Sequence, residues 1–396
     1  MNTLPTISRR ARWAIPVGAV ALAGAVTAGS LISTAQASPE LPLRTPAQLL
    51  ASVAGRDAPP PALTGTVVET ASLGLPQLPG TSNQNSITSL LAGSHTIKVW
   101  YGDPQHIRLA VPVQMSETDV IRDGRQVSVW QSDSNTVTRM QLPARASAAE
   151  AHAVPSGAPL TPQQAASQAL KAVGPSTRVT VDRTVTVAGQ PAYQLVLTPK
   201  SSGSLIGRVS LAIDATRNVP LRVQVFARGA ASPAIQVGYT SISFVKPAAA
   251  NFNFTTPAGA KVKVVSPPQD SSRPAAKGAK ASGEPQVIGK DWLSVAVLPA
   301  SDLAGVMGAG GASSSASSAA GVGSQSVSSG SGESGAVTAA LMKSATPVHG
   351  AWGTGRLLRT SLVSVLMTDQ GSTFVGAVQP SVLYAAAASG ASAGTP

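Results

Sequence analysis

The chain has 396 residues, a formal charge of +12, only 12% charged residues and no cysteine. The lack of thiols excludes disulfides, thiolate metal sites and cysteine nucleophiles, so burial must stabilise the fold. The lysines and arginines are scattered singly, whereas nucleic-acid binders gather theirs into a patch, so no nucleic-acid partner is expected.

Arg9, Arg10 and Arg12 precede a charge-free run from Ala14 to Ile32, and Ala35-Gln36-Ala37 supplies a small-x-small exit. This order reads as a signal peptide over 1–37, cut between Ala37 and Ser38. An uncleaved anchor is the alternative, since about 20 apolar residues can span a bilayer. Either way the expected location is beyond the cytoplasmic membrane, in the cell envelope or secreted. Thr45, Pro46 and Gln48 then form a helix start with a capping box, and Gly55 ends that helix.

From 63 to 265 the dominant period is two. Ile97, Val99 and Tyr101 alternate with Lys98 and Trp100, and Gly102-Asp103-Pro104 turns the chain into Ile107, Leu109 and Val111. Asp123-Gly124 lies between two strand-like runs, a strong hairpin signal, and Asp133-Ser134-Asn135 marks the next turn. Thr161-Pro162-Gln163-Gln164 repeats the helix start, and Gly174-Pro175 closes that second helix. Strands resume at 179–187, 192–197, 208–213, 221–226 and 235–245, with turns at Gly189-Gln190 and at 214–218. Close spacing without intervening helices implies an antiparallel sheet.

Residues 266–286 read as a linker. Residues 287–300 regain strand character around Trp292. The 301–345 insert is Gly/Ser-rich, and its 308–335 stretch cannot bury enough apolar area to offset its ordering entropy, so it is read as disordered. Residues 346–388, with a turn at Asp369-Gln370-Gly371, join 287–300 in a small β-rich C-terminal unit, and 389–396 form a tail.

Catalytic constellations do not emerge. His95, His106, His152 and His349 show no metal-ligand spacing. Gly390-Ala391-Ser392-Ala393-Gly394 matches a nucleophile elbow by letter but sits in the tail, without the strand and helix that motif needs. Ser243-x-x-Lys246 lies at a strand end where its chemistry needs a helix start. The chain is therefore read as non-catalytic, with no cofactor and no metal.

One parity of the strands collects the large apolar residues. These are Val99 and Tyr101; Leu109 and Val111; Val127 and Val129; Tyr193, Leu195 and Leu197; Leu211 and Ile213; and Leu221, Val223 and Val225. Each set lies on one side of its strand, and burial economy argues that all share one side. They are the candidate lining of an apolar ligand site.

The run Gly189-Gln190-Pro191-Ala192-Tyr193-Gln194-Leu195-Val196-Leu197-Thr198-Pro199 resembles a segment of the LolA/RseB superfamily. So do 209–214 followed by Pro220-Leu221-Arg222-Val223, and the endings at 239–244 and 252–260. Residues 43–265 look most like actinobacterial members described as outer-membrane lipoprotein carrier-like. The resemblance implies an incomplete antiparallel β-barrel, or half-barrel, with short helices lidding an apolar concave face. It also implies a cargo of lipid or lipoprotein acyl chains. The alternative it carries is an RseB-like regulatory module that binds an anti-sigma factor, a membrane-anchored envelope protein.

Overall fold

The computed structural model describes residues 40–54, 59–74, 92–113, 115–142, 161–171, 174–265, 286–299 and 343–392. The expected signal segment with its expected Ala37/Ser38 cut, the expected Gly55 stop, the 308–335 stretch and nearly all of the expected linker lie outside them.

Helix α1 spans Pro46–Ala54. The Gln48 amide donates to Thr45 Oγ1 at 3.2 Å, and the Thr45 amide donates to Gln48 Oε1 at 2.8 Å. This reciprocal pair satisfies two donors that a helix start otherwise leaves orphaned. Helix α2, Pro162–Lys171, starts the same way, with the Thr161 amide donating to Gln164 Oε1 at 2.9 Å.

The main sheet has twelve strands: β1 (Leu63–Ser72), β2 (Ala92–Asp103), β3 (His106–Val113), β4 (Ser116–Asp123), β5 (Gln126–Gln131), β6 (Thr136–Gln141), β7 (Thr177–Val187), β8 (Gln190–Pro199), β9 (Ile206–Asp214), β10 (Pro220–Ala227), β11 (Ile235–Ser243) and β12 (Lys261–Val265). Their order is β12-β6-β5-β4-β3-β2-β1-β11-β10-β9-β8-β7. The fold is mainly β, and the sheet is open at both edges and does not close into a barrel. All neighbours are antiparallel except β12, which runs parallel to β6. That exception follows from the chain crossing from β11 to the far edge of the sheet before pairing, a return that alternation cannot reveal.

Turn chemistry sets the registers. Gly124 takes φ 59° between β4 and β5, so Asp123 pairs with Gln126 across a two-residue turn. Ala188 and Gly189 take φ 50° and 77° between β7 and β8, the left-handed pair that tight hairpins require. The buried Asp214 carboxylate accepts the amides of Thr216 and Arg217 and so organises the β9–β10 turn.

A second sheet contains β13 (Gln286–Ile288), β14 (Val295–Pro299), β15 (Thr346–Gly350), β16 (Gly353–Arg359), β17 (Ser364–Thr368) and β18 (Ser372–Gly376), in the order β13-β14-β18-β17-β16-β15. Helix α3, Pro380–Ser392, packs on it through Leu383, Ala386 and Ala387 against Leu366, Phe374 and Val378. The tail expected from 389 is instead helical to Ser392. Residues 380–388, expected within a β-rich unit, are helical as well, since alanine is the strongest helix former and Pro380 suits a first helical position. The elbow-like Gly390 and Ser392 are the end of this helix, so no strand precedes them. Among the described residues no helix is long and apolar enough to cross a membrane.

Candidate ligand-binding face

The registers place the apolar sets on one face. Directly opposed residues on antiparallel strands point the same way. Val99 pairs with Leu109, Leu109 with Val120, Val120 with Val129, and Val129 with Thr138. A second row runs through Tyr101, Ile107, Arg122, Val127 and Met140. Val111 follows Leu109 on the same side of β3. On the other half of the sheet Tyr193 pairs with Ile213, and Leu195 with Leu211. Leu211 pairs with Val223, and Val209 with Val225. Val223 opposes Val237, and β11 continues through Tyr239 and Val67 to Ile97, closing the link between the halves. Leu221 keeps the parity of Val223 beside a register shift and packs in the cluster of Tyr239.

The two halves of this face differ in cover. Over β8–β10 the helices lie directly on the sheet: Leu49 of α1 and Ala166 of α2 join Tyr193, Leu195, Leu197, Leu211, Ile213 and Val223 in one core cluster. Leu195 and Leu211 are 0% exposed. In this structure those residues are packed core under α1 and α2. This half of the candidate lining is thus covered by the two helices. Tyr193 also donates its hydroxyl to the Pro42 carbonyl at 2.7 Å, and Tyr239 exchanges hydrogen bonds with the Gln163 amide of α2. Burial pushes the Tyr239 hydroxyl up to about 12. The lid is thus tied to the sheet by polar bonds as well as apolar area.

Over β3–β6 the same face is half-buried. Leu109, Val111, Val120, Val127, Val129 and Met140 all retain partial exposure. Among the described residues, Val120, Val127, Val129 and Met140 belong to none of the core clusters. At one end of the face Glu69 and His95 oppose each other in register, both buried. At the other end stands Arg122, which the sequence reading passed over. A signal was present: counting back from the two-residue turn at Gly124 pairs position 122 with Val127 and position 120 with Val129.

The reverse face of this half is sealed. The chain between β11 and β12 crosses it, with the Phe252 ring 5.7 Å from that of His106 and Arg139 donating to Thr256 Oγ1 at 2.5 Å. Beneath lie Ala110, Ile121, Ser128 and Val137, all buried. Arg108 meets Asp119 there at 2.6 Å and stacks over the Trp100 ring at 5.2 Å. Burial outweighs the guanidinium and pushes the Asp119 carboxyl up to about 6, with Glu117 adding to the rise. Among the described residues no group of three acids or histidines could hold a metal ion.

The architecture is therefore an open β-sheet with one face sealed by helices over half its width and carrying half-buried apolar rows over the other half. No protein-family model matches the chain, and no curated protein matches it. Among solved structures it is similar to a chain of the Pseudomonas aeruginosa MucA/MucB complex, at 14% identity and TM-score 0.37, covering 86% of this chain and 94% of that one. It is also similar to an uncharacterized conserved protein from Thermus thermophilus, at 11% identity and TM-score 0.30, covering 55% of this chain and 98% of that one. A LolA-superfamily protein from Nitrosomonas europaea follows at 10% identity and TM-score 0.23, covering 54% of this chain and 99% of that one. These are distant likenesses and assign no cargo or partner to this chain.

Proposed function

We propose that this is a non-catalytic binding protein that holds a lipid acyl chain, free or on a lipoprotein, against the β3–β6 half of the apolar face. The observation that carries the reading is the contrast within one face. Leu195 and Leu211 are sealed, whereas Leu109, Val120 and Val129 form a row that remains partly exposed. A contiguous apolar row left short of full burial is the property expected of a surface that receives an apolar ligand.

The test is a pair of charge insertions read by native mass spectrometry of co-purified lipid and by uptake of a fluorescent fatty acid. Val129→Asp places a carboxylate where water reaches it, so the variant folds and loses uptake. Leu195→Asp buries a carboxylate under α1 and α2 at a cost of several kcal/mol, so it fails to fold. Uptake by folded Val129→Asp equal to wild type would place the ligand elsewhere. A wild type that carries and takes up no lipid would remove the acyl reading and move a regulatory, protein-binding role ahead of it.

A further inference from the structure

Arg122 lies in the row between Ile107 and Val127, on the same side of β4 as Val120. It is only 8% exposed, on a face otherwise lined by apolar side chains at that end. Its Nε donates to the Gly124 carbonyl at 2.9 Å, inside the β4–β5 turn. Its Nη1 is buried and, among the described residues, has no hydrogen-bond partner. The acids next to it on β4 alternate to the opposite face, where Asp119 meets Arg108 and Asp123 meets His106. A buried guanidinium without an anion is costly, because its lost hydration is not replaced, and such an orphaned group calls for an explanation. The Nε bond also fixes the guanidinium plane. It leaves Nη1 as a charged donor with no acceptor among the described residues, the kind of group that a carboxylate satisfies.

We propose that Arg122 is the head-group end of the acyl site, and that the cargo is a long-chain carboxylate. Its anionic head meets Nη1 of Arg122, and its tail lies over Val120, Val129 and Leu109. The inference rests on the acyl-chain reading above and adds to it the charge of the ligand.

The test titrates the purified full-length protein with cis-parinaric acid and, separately, with its uncharged methyl ester. Wild type binds the acid at least about tenfold more tightly than the ester, the scale of a charge-assisted hydrogen bond. Arg122→Met removes that ratio and leaves the ester affinity within about twofold of wild type. Arg122→Lys keeps the charge without the guanidinium and falls between them. Arg122→Gln repeats the comparison if the methionine variant does not fold. Equal affinity of wild type for acid and ester, or a ratio that survives loss of the cation in a folded variant, overturns the inference while leaving the acyl reading standing. Binding of neither ligand by wild type overturns both.

Discussion

Charged residues on this sheet are sorted by strand parity, and the sorting decides what each can do. Asp119 and Arg122 are three positions apart on β4 and point to opposite faces, one into an ion pair under the crossing segment and the other onto the apolar rows. Asp119 carries a testable consequence. Its folded carboxyl is pushed up to about 6, above its unfolded value near 3.8, so between these values the folded chain holds a proton that the unfolded chain has released. The group's contribution to stability is therefore fully present below about pH 4 and is lost as pH rises through about 6. Denaturation midpoints measured from pH 4 to pH 7 should fall in wild type relative to Asp119→Asn, which has no proton to lose there. Parallel profiles would show that the ion pair with Arg108 outweighs burial. Neither residue's face could be read from the string Asp119-Val120-Ile121-Arg122 by itself, because both of its parities contain an apolar and a charged side chain. Only the turn at Gly124 fixes which residue opposes Val127.

At the scale of elements, legibility follows local chemistry. The two capping boxes and the turns at Gly124, Gly189 and Asp214 are satisfied within a few residues, so the sequence states them outright. The parallel pairing of β12 with β6 is a long-range event with no local signature. Strand β9 shows a related limit. Every position from Val209 to Asp214 is buried, so alternation marks one face and hides the other. Helix α3 lies where the sequence predicts a β-rich unit up to 388 and a tail beyond it, and its Leu383 sits fully buried against the second sheet. Leu383→Ala should cost about 2–4 kcal/mol of unfolding free energy, as large-to-small changes in a packed core do. A change below about 0.5 kcal/mol in denaturant unfolding would mean that α3 is a passive appendage, since that is the scale of an ordinary surface substitution.

At the scale of the whole molecule, the two sheets are held together by bonds that the sequence does not announce. The Leu205 amide donates to the Ala377 carbonyl at 2.9 Å, and the Gln379 amide donates to the Gly203 carbonyl at 2.7 Å. Trp292 donates its indole N–H to Thr177 Oγ1 at 2.7 Å and packs against the cluster beneath α1 and α2. Leu73, Ala234 and Leu362 form a small shared core. The C-terminal part of the chain thus braces β7 and the β8–β9 connection, next to the sealed half of the apolar face, and away from the β3–β6 half proposed to take the ligand. The most direct test of that division is photo-crosslinking of the wild-type protein with a diazirine-bearing fatty acid, followed by peptide mapping. Label is expected within residues 107–140, centred on the strands of Leu109, Val120 and Val129. Label confined to residues 193–225, beneath the helices, would contradict it.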